Sequence, residues 1–144
     1  KIKREKLKGM LGRFFRVSGR ERRFFLEALT LQLCVGLLLK VIPFRRIPKL
    51  FRSRESGVDS QQADIVLCIK QAIERAGKVL PWRNRCLVSS LVARKMLNRR
   101  DVPSQLSLGV AKDTGGKTVA HAWLSSGNAE VTGKHGDYQE LFVF

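Results

Sequence analysis

Residues 81–111, PWRNRCLVSSLVARKMLNRRDVPSQLSLGVA, change periodicity partway through, and that change sets the fold class. In the first part Leu87, Leu91 and Leu97, with Val88, Val92 and Met96 beside them, recur at helical spacing, while Pro81 and Asn84 lie where a helix start is expected. The helix should stop near residues 98–101, where Arg99, Arg100 and Asp101 read as an exposed, solvated end. From residue 105 to 111 the pattern alternates at period two, as a half-buried strand does.

The strand character continues downstream. Residues 118–125 (TVAHAWLS), 129–132 and 140–144 read as further strands, with KDTGGK at 112–117 and a three-residue SGN turn at 126–128 between them. Upstream the chain is helical. Residues 59–79 carry one apolar stripe, Ile65, Cys68, Ile69, Ala72, Ile73 and Ala76, with Asp59 or Ser60 placed to cap it. Residues 24–42, FFLEALTLQLCVGLLLKVI, are the most apolar run. Glu27, Gln32 and Lys40 interrupt that run well short of the roughly 18 uninterrupted residues of a membrane span, so a buried helix is expected, ended by Pro43 and Pro48. Residues 1–23 interleave basic and apolar residues as a short amphipathic helix would, broken at Ser18-Gly19. Helices first and an antiparallel meander after them make an α+β domain. A basic helical region, 1–54, and a core, 55–144, are expected to form one compact unit with a boundary or hinge around Ser56 and Gly57.

At 144 residues and 44% hydrophobic content the chain can close a real core, which excludes disorder throughout. Its formal charge of +16 is unevenly placed: residues 1–54 carry a net +13 and the remainder +3. Such density could track phosphates or anionic lipid heads. Specific nucleic-acid binding as the main task is disfavoured, because there is no zinc-finger spacing and no aromatic-and-basic sheet motif, and the aromatics of the basic region are all Phe within apolar runs. Contact with a membrane surface or an acidic partner through residues 1–54 stays open. Three cysteines without metal-ligand spacing, in a chain with no secretory signal pattern, point to a reducing, cytoplasmic setting with no disulfide framework.

The chemistry centres on Cys86. A thiol in the first turn of a helix feels the positive end of the helix dipole and unbonded backbone N–H groups, and Arg83 and Arg85 add charge that favours a thiolate. The competing role is a small buried hydrophobe at the start of a core helix. A base decides between them. His121 sits mid-strand in AHAWL with Trp123 on the same face, and a strand histidine facing a helix-start cysteine supplies the geometry of nucleophilic catalysis; a satisfied core histidine is the alternative. His135 falls in a loop, and Cys34 and Cys68 lie on apolar stretches expected in the core. The backbone N–H of Cys86 is the obvious oxyanion donor, with the Trp82 indole or the Asn84 amide as candidate second donors.

PWRNRCL, the helix SLVARKML, RRDVPSQLSLGV, AHAWL and VTG together resemble the lasso-peptide leader peptidase family, a transglutaminase-like, papain-related group, over nearly the whole chain. The resemblance implies an α+β cysteine protease core with Cys86 as nucleophile and His121 as general base, and neither metal nor organic cofactor. It implies three partners: the precursor peptide, a small leader-recognition protein and an ATP-dependent cyclase. The chain departs from the family at the third catalytic position. An acidic residue usually orients the imidazole about a dozen residues after it, and here that position holds Gly133. With a three-residue turn, His121 would pair with Gly133 and Glu130 would point to the other face. Asp137 is the nearest substitute acid, and a backbone carbonyl or a water could serve instead. An acyltransferase on the same fold, with the thioester captured by an amine, is the rival activity.

Overall fold

The computed structural model describes residues 16–43, 60–80, 85–134 and 136–143, together with positions 5, 8, 9, 12, 13 and 46. Among the elements described in full, three helices, α1 (Gly19–Val41), α2 (Ser60–Gly77) and α3 (Arg85–Asn98), precede four strands, β1 (Gln105–Lys112), β2 (Thr118–Ser126), β3 (Ala129–Thr132) and β4 (Gln139–Val143). This is the α+β layout, helices followed by antiparallel strands, that the change of period implies. The expected boundary at residues 56–57, the cap at Asp59 and most of the amphipathic helix at the amino terminus lie outside the described residues.

The sheet is not a meander. Its order is β3-β2-β1-β4, antiparallel throughout, so the fourth strand returns to lie beside the first as in a Greek key. Both α2 and α3 pack on the short β3, which leaves the outer side of β1 as the edge that β4 takes. The connection after β3 therefore has to cross the sheet.

Helix α1 begins ahead of the apolar run because Ser18 caps it. The Ser18 Oγ accepts from the Glu21 N–H at 3.3 Å, and Ser18 and Glu21 stand at capping-box spacing. Past Val41 the Ile42 N–H still reaches the Leu38 carbonyl at 2.8 Å, and Pro43 ends the helix. One stripe, Phe24, Ala28, Gln32 and Val35, is buried, with the Gln32 Nε2 donating to the Ile73 carbonyl at 3.2 Å. The opposite face is open: Leu26, Leu33, Leu37, Leu38 and Val41 are exposed, and so is Cys34, which the sequence placed in the core. The expectation of a buried helix thus holds along one stripe only. By length and composition α1 could cross a membrane, a test that core helices of soluble proteins also pass; 28% of its most apolar window is buried.

Helix α3 is central. Besides Val88, Leu91, Val92, Ala93, Met96 and Leu97, its polar Ser90 and Arg94 are buried, because the helix is enclosed on more than one side. Burial lowers the Arg94 guanidinium from its ordinary value by desolvation. At the carboxyl end the Val102 N–H bonds the Leu97 carbonyl at 3.0 Å and the Asp101 N–H bonds that of Asn98 at 3.2 Å. Asp101, at φ 53, supplies the left-handed residue that this Schellman ending needs, and the buried Val102 closes it. Arg99 and Arg100 are not a merely solvated end. Arg99 pairs with Glu27 of α1 at 3.1 Å, and Arg100 pairs with the same carboxylate at 2.5 Å while its guanidinium stacks 4.5 Å from the Phe24 ring centroid. One apolar cluster runs from Phe24 and Ala28 through Ile69, Leu91 and Leu97 to Leu106, Leu124 and Val131, so α1 and the sheet share a core.

Removing the shared carboxylate should be felt at both ends. Glu27→Ala is expected to lower the unfolding free energy by about 1–2 kcal/mol, more than a lone surface pair would, because Arg100 is half-buried. Urea unfolding with an unchanged m-value checks this.

Candidate active site

The hairpin between β2 and β3 turns on two residues, Gly127 and Asn128, with Ser126 paired to Ala129. Gly127 takes φ 59, which glycine accepts without strain, and so the turn is tighter than the three-residue one expected. A bulge follows: Leu124 pairs with Thr132 but Ser125 pairs with Glu130, leaving Val131 as the extra residue, buried in the core. Two consequences correct the sequence reading. The ladder closes at Thr132, so the His121 backbone does not pair with Gly133. And Glu130 lies opposite Ser125, which shares the face of Trp123 and His121, instead of pointing away from it.

Where β3 stops, the edge of β2 is met by α3. The Leu124 N–H, pointing toward β3, donates to the Thr132 Oγ1 at 2.8 Å, and the Ala122 carbonyl two residues earlier points the same way. Ser90 takes it, its Oγ donating to the Ala122 carbonyl at 3.4 Å while lying 2.7 Å from the Thr132 Oγ1. With the Ser90 proton committed to the carbonyl, the Thr132 hydroxyl donates to Ser90, and the chain from the Leu124 amide to the Ala122 carbonyl is satisfied at each link. Cys86 lies one turn before Ser90 on α3, as the helix's second residue, half-buried, among the amides that no intrahelical acceptor satisfies. The amino-terminal half of α3 is thus held against β2 at the residue next to His121.

The other face of the site is built by the chain that crosses from β3 to β4. The Gly133 carbonyl accepts from the His121 Nε2 at 2.8 Å. A carbonyl cannot donate, so Nε2 carries the proton, and the lone pair of the neutral ring is on Nδ1. The Tyr138 ring stacks on the imidazole with centroids 4.8 Å apart, the Trp123 ring lies 6.1 Å from the imidazole, and the Trp123 and Tyr138 centroids are 6.3 Å apart, so the three rings form one cluster. The Lys134 ammonium sits 5.1 Å from the Trp123 ring centroid, and the Lys134 N–H donates to the Glu130 Oε1 at 3.0 Å. Gly109 of β1 pairs with His121 across the ladder, and the close approach of β4 and of the Trp123 ring depends on its lack of a side chain: a Cβ there would fall 2.7 Å from the Gln139 carbonyl oxygen and 2.8 Å from the Trp123 ring.

The structure therefore gathers His121, Trp123, Tyr138 and the Gly133 carbonyl, and holds α3, which carries Cys86 as its second residue, to the adjoining edge of β2 through Ser90. Asp137 lies exposed in the crossing segment, with the imidazole Nε2 already taken by Gly133. Trp82 and Asn84 lie outside the described residues. Sequence reasoning missed Gly109, Tyr138, Ser90 and Thr132, whose roles come from long-range contacts that no local pattern announces. Among the described residues no three of His, Cys, Asp and Glu gather as a metal site would need.

Fold and site together define an α+β protein with a cysteine at the start of its central helix and a histidine on the strand beside it. A family model described as the transglutaminase-like superfamily matches residues 29–143, and the chain belongs to that superfamily, whose fold is that of cysteine proteases and acyltransferases. No curated protein and no solved structure matches it significantly.

Gly109 gives the test of this geometry. Gly109→Ala should destabilise by about 1–3 kcal/mol and displace the Trp123 ring, since the atoms it meets are backbone and a buried indole. Thermal unfolding and near-ultraviolet circular dichroism read both effects.

Proposed function

We propose that the protein is a cysteine peptidase that cleaves the leader from a ribosomally made lasso-peptide precursor through a thioester on Cys86. The observation that carries the reading is the His121 ring, held through Nε2 by the Gly133 carbonyl so that Nδ1 is the basic atom, next to the strand edge on which Ser90 holds α3, the helix whose first turn carries Cys86. Nδ1 accepts the thiol proton, and the thiolate adds to the scissile carbonyl. The oxygen of the tetrahedral intermediate is placed to receive the Cys86 N–H, with Trp82 or Asn84 as a second donor. Collapse breaks the C–N bond, the imidazolium gives its proton to the departing amine, and the leader remains as a thioester. Water, deprotonated by the same Nδ1, then releases the leader acid and restores the thiol. The stacked Tyr138 and the buried Trp123 restrict the ring's rotation, which replaces part of what an orienting acid does elsewhere.

The partners belong to the same reading: the precursor peptide, a leader-recognition protein that presents it and a cyclase that consumes the freed core, in the cytoplasm. The open face of α1, with Leu26, Leu33 and Leu37 exposed beside a strongly basic segment, suits a recognition partner with an apolar patch and acidic rim. Membrane association through the same face is the competing use.

Cys86→Ala and His121→Ala should each lower cleavage of a precursor presented with its recognition protein by about 10³-fold or more, and equal cleavage by either variant removes the assignment. Mass spectrometry of the products separates the rival activity: a leader acid with a free core amine requires hydrolysis, whereas a leader amide shows capture by an amine.

Because Phe24 and Ala28 belong to the core, deleting residues 1–54 would unfold the domain, and surface changes are the cleaner probe. The double variant Leu33→Ser and Leu37→Ser should keep its thermal midpoint within a few degrees and weaken partner binding about tenfold or more. Unchanged affinity by calorimetry would remove α1 from the interface.

A further inference from the structure

Where an orienting acid is usual the chain has Gly133, and the peptide that follows it is held from both ends. Its carbonyl oxygen accepts from the His121 Nε2 at 2.8 Å, and its N–H, that of Lys134, donates to the Glu130 Oε1 at 3.0 Å. We propose that Glu130 is the positioning acid of this site, acting on His121 through the Gly133–Lys134 peptide unit. The inference rests on His121 being the base of the proposed reaction.

The peptide group is planar and conjugated, so fixing the direction of its N–H fixes that of its carbonyl. A hydrogen bond from that N–H to a charged carboxylate is stronger than one to a neutral acceptor, and it polarises the unit, making the oxygen at the far end a better acceptor for Nε2–H. Glu130 is in position because the two-residue turn at Gly127 and Asn128 sets it opposite Ser125, on the His121 face; a three-residue turn would pair it with Leu124 and point it to the other side. The charged and titratable groups nearby leave this arrangement distinct. Lys134 holds its ammonium over Trp123, Tyr138 stacks on the imidazole, Asp137 is exposed, and Glu140 lies across β1, paired with Gly109. The carboxylate is itself exposed, so solvent screens its direct field on the ring, and its effect comes chiefly through the orientation and polarisation of the peptide.

The test reads the imidazole directly. In the ¹⁵N-histidine-labelled full chain, with the two histidines told apart by a His135→Gln variant, His121 should show the Nε2–H tautomer and a slowly exchanging Nε2 proton. Glu130→Ala should mix the tautomers, speed that exchange, and lower the rate of precursor cleavage by roughly three- to tenfold. Glu130→Gln, which still offers an acceptor to the Lys134 N–H, should keep the tautomer and recover part of the rate. In the unsubstituted protein the Lys134 amide proton should shift as the Glu130 carboxyl titrates, a measurement that needs no variant. A folded Glu130→Ala protein with an unaltered tautomer, a Lys134 amide insensitive to Glu130, or a tautomer that follows Asp137→Asn instead would each overturn the proposal. The nuclear resonance results stand whether or not the precursor is the substrate. Failure of the peptidase reading shows instead as cleavage by Cys86→Ala, with the tautomer following Glu130 all the same.

Discussion

The return of the chain from β3 to β4, which sets the Gly133 carbonyl and the Tyr138 ring against His121, is the constraint on which the site depends. A Greek-key order obliges the chain leaving β3 to pass over the sheet before it can pair with β1, and the face it passes is the one that carries His121 and Trp123. Directly across the ladder from His121, Gly109 leaves the space into which the Gln139 carbonyl of β4 and the Trp123 ring pack. What the crossing brings with it, a carbonyl at Gly133 and a ring at Tyr138, is what holds the imidazole. Topology thus does at this site what an acidic side chain does in the family pattern.

The opposite side of the site follows from how short β3 is. Three paired positions leave the rest of that edge of β2 open, and an open edge of unsatisfied amides and carbonyls inside a protein must be met by something. Here it is met by hydroxyls. Thr132 and Ser90 convert the unpaired backbone of Leu124 and Ala122 into a tie between helix and strand, and that tie fixes the height of α3 relative to His121. The same helix is locked at its far end by the Asp101 turn and by the Arg99 and Arg100 pairs to Glu27, so α1 is coupled through α3 to the strand that bears the histidine. A contact made on the open face of α1 would act on an element tied to the site rather than on an appendage.

Several features were legible in the chain because they rest on local chemistry. The change from a 3.6-residue to a two-residue period around residue 100 separates the helices from the strands, and each strand begins and ends within a residue or two of its turn signals. The match of residues 29–143 to the transglutaminase-like superfamily agrees with the fold inferred from the Cys86 and His121 blocks. Other features were present in the sequence and were read wrongly. Ser18 caps α1 by accepting from the Glu21 N–H, which starts the helix before its apolar run, and Ser126-Gly127-Asn128 contains a glycine at the first loop position, the mark of a tight two-residue turn. The register error over Glu130 came from that turn, since two loop residues in place of three shift the pairing by one and move Glu130 from opposite Leu124 to opposite Ser125.

The sequence by itself determined the α+β class, the placement of Cys86 in the first turn of a helix and of His121 in mid-strand, because periodicity, caps and prolines act over a few residues. Only the tertiary structure decided that β4 returns to β1, that Cys34 is exposed while Arg94 is enclosed, and that a peptide group stands where the orienting acid was sought. These depend on which surfaces remain to be covered once the elements have packed. A free strand edge, an open helix face and the path of a crossing chain are properties of the assembled core, and no window along the chain contains them.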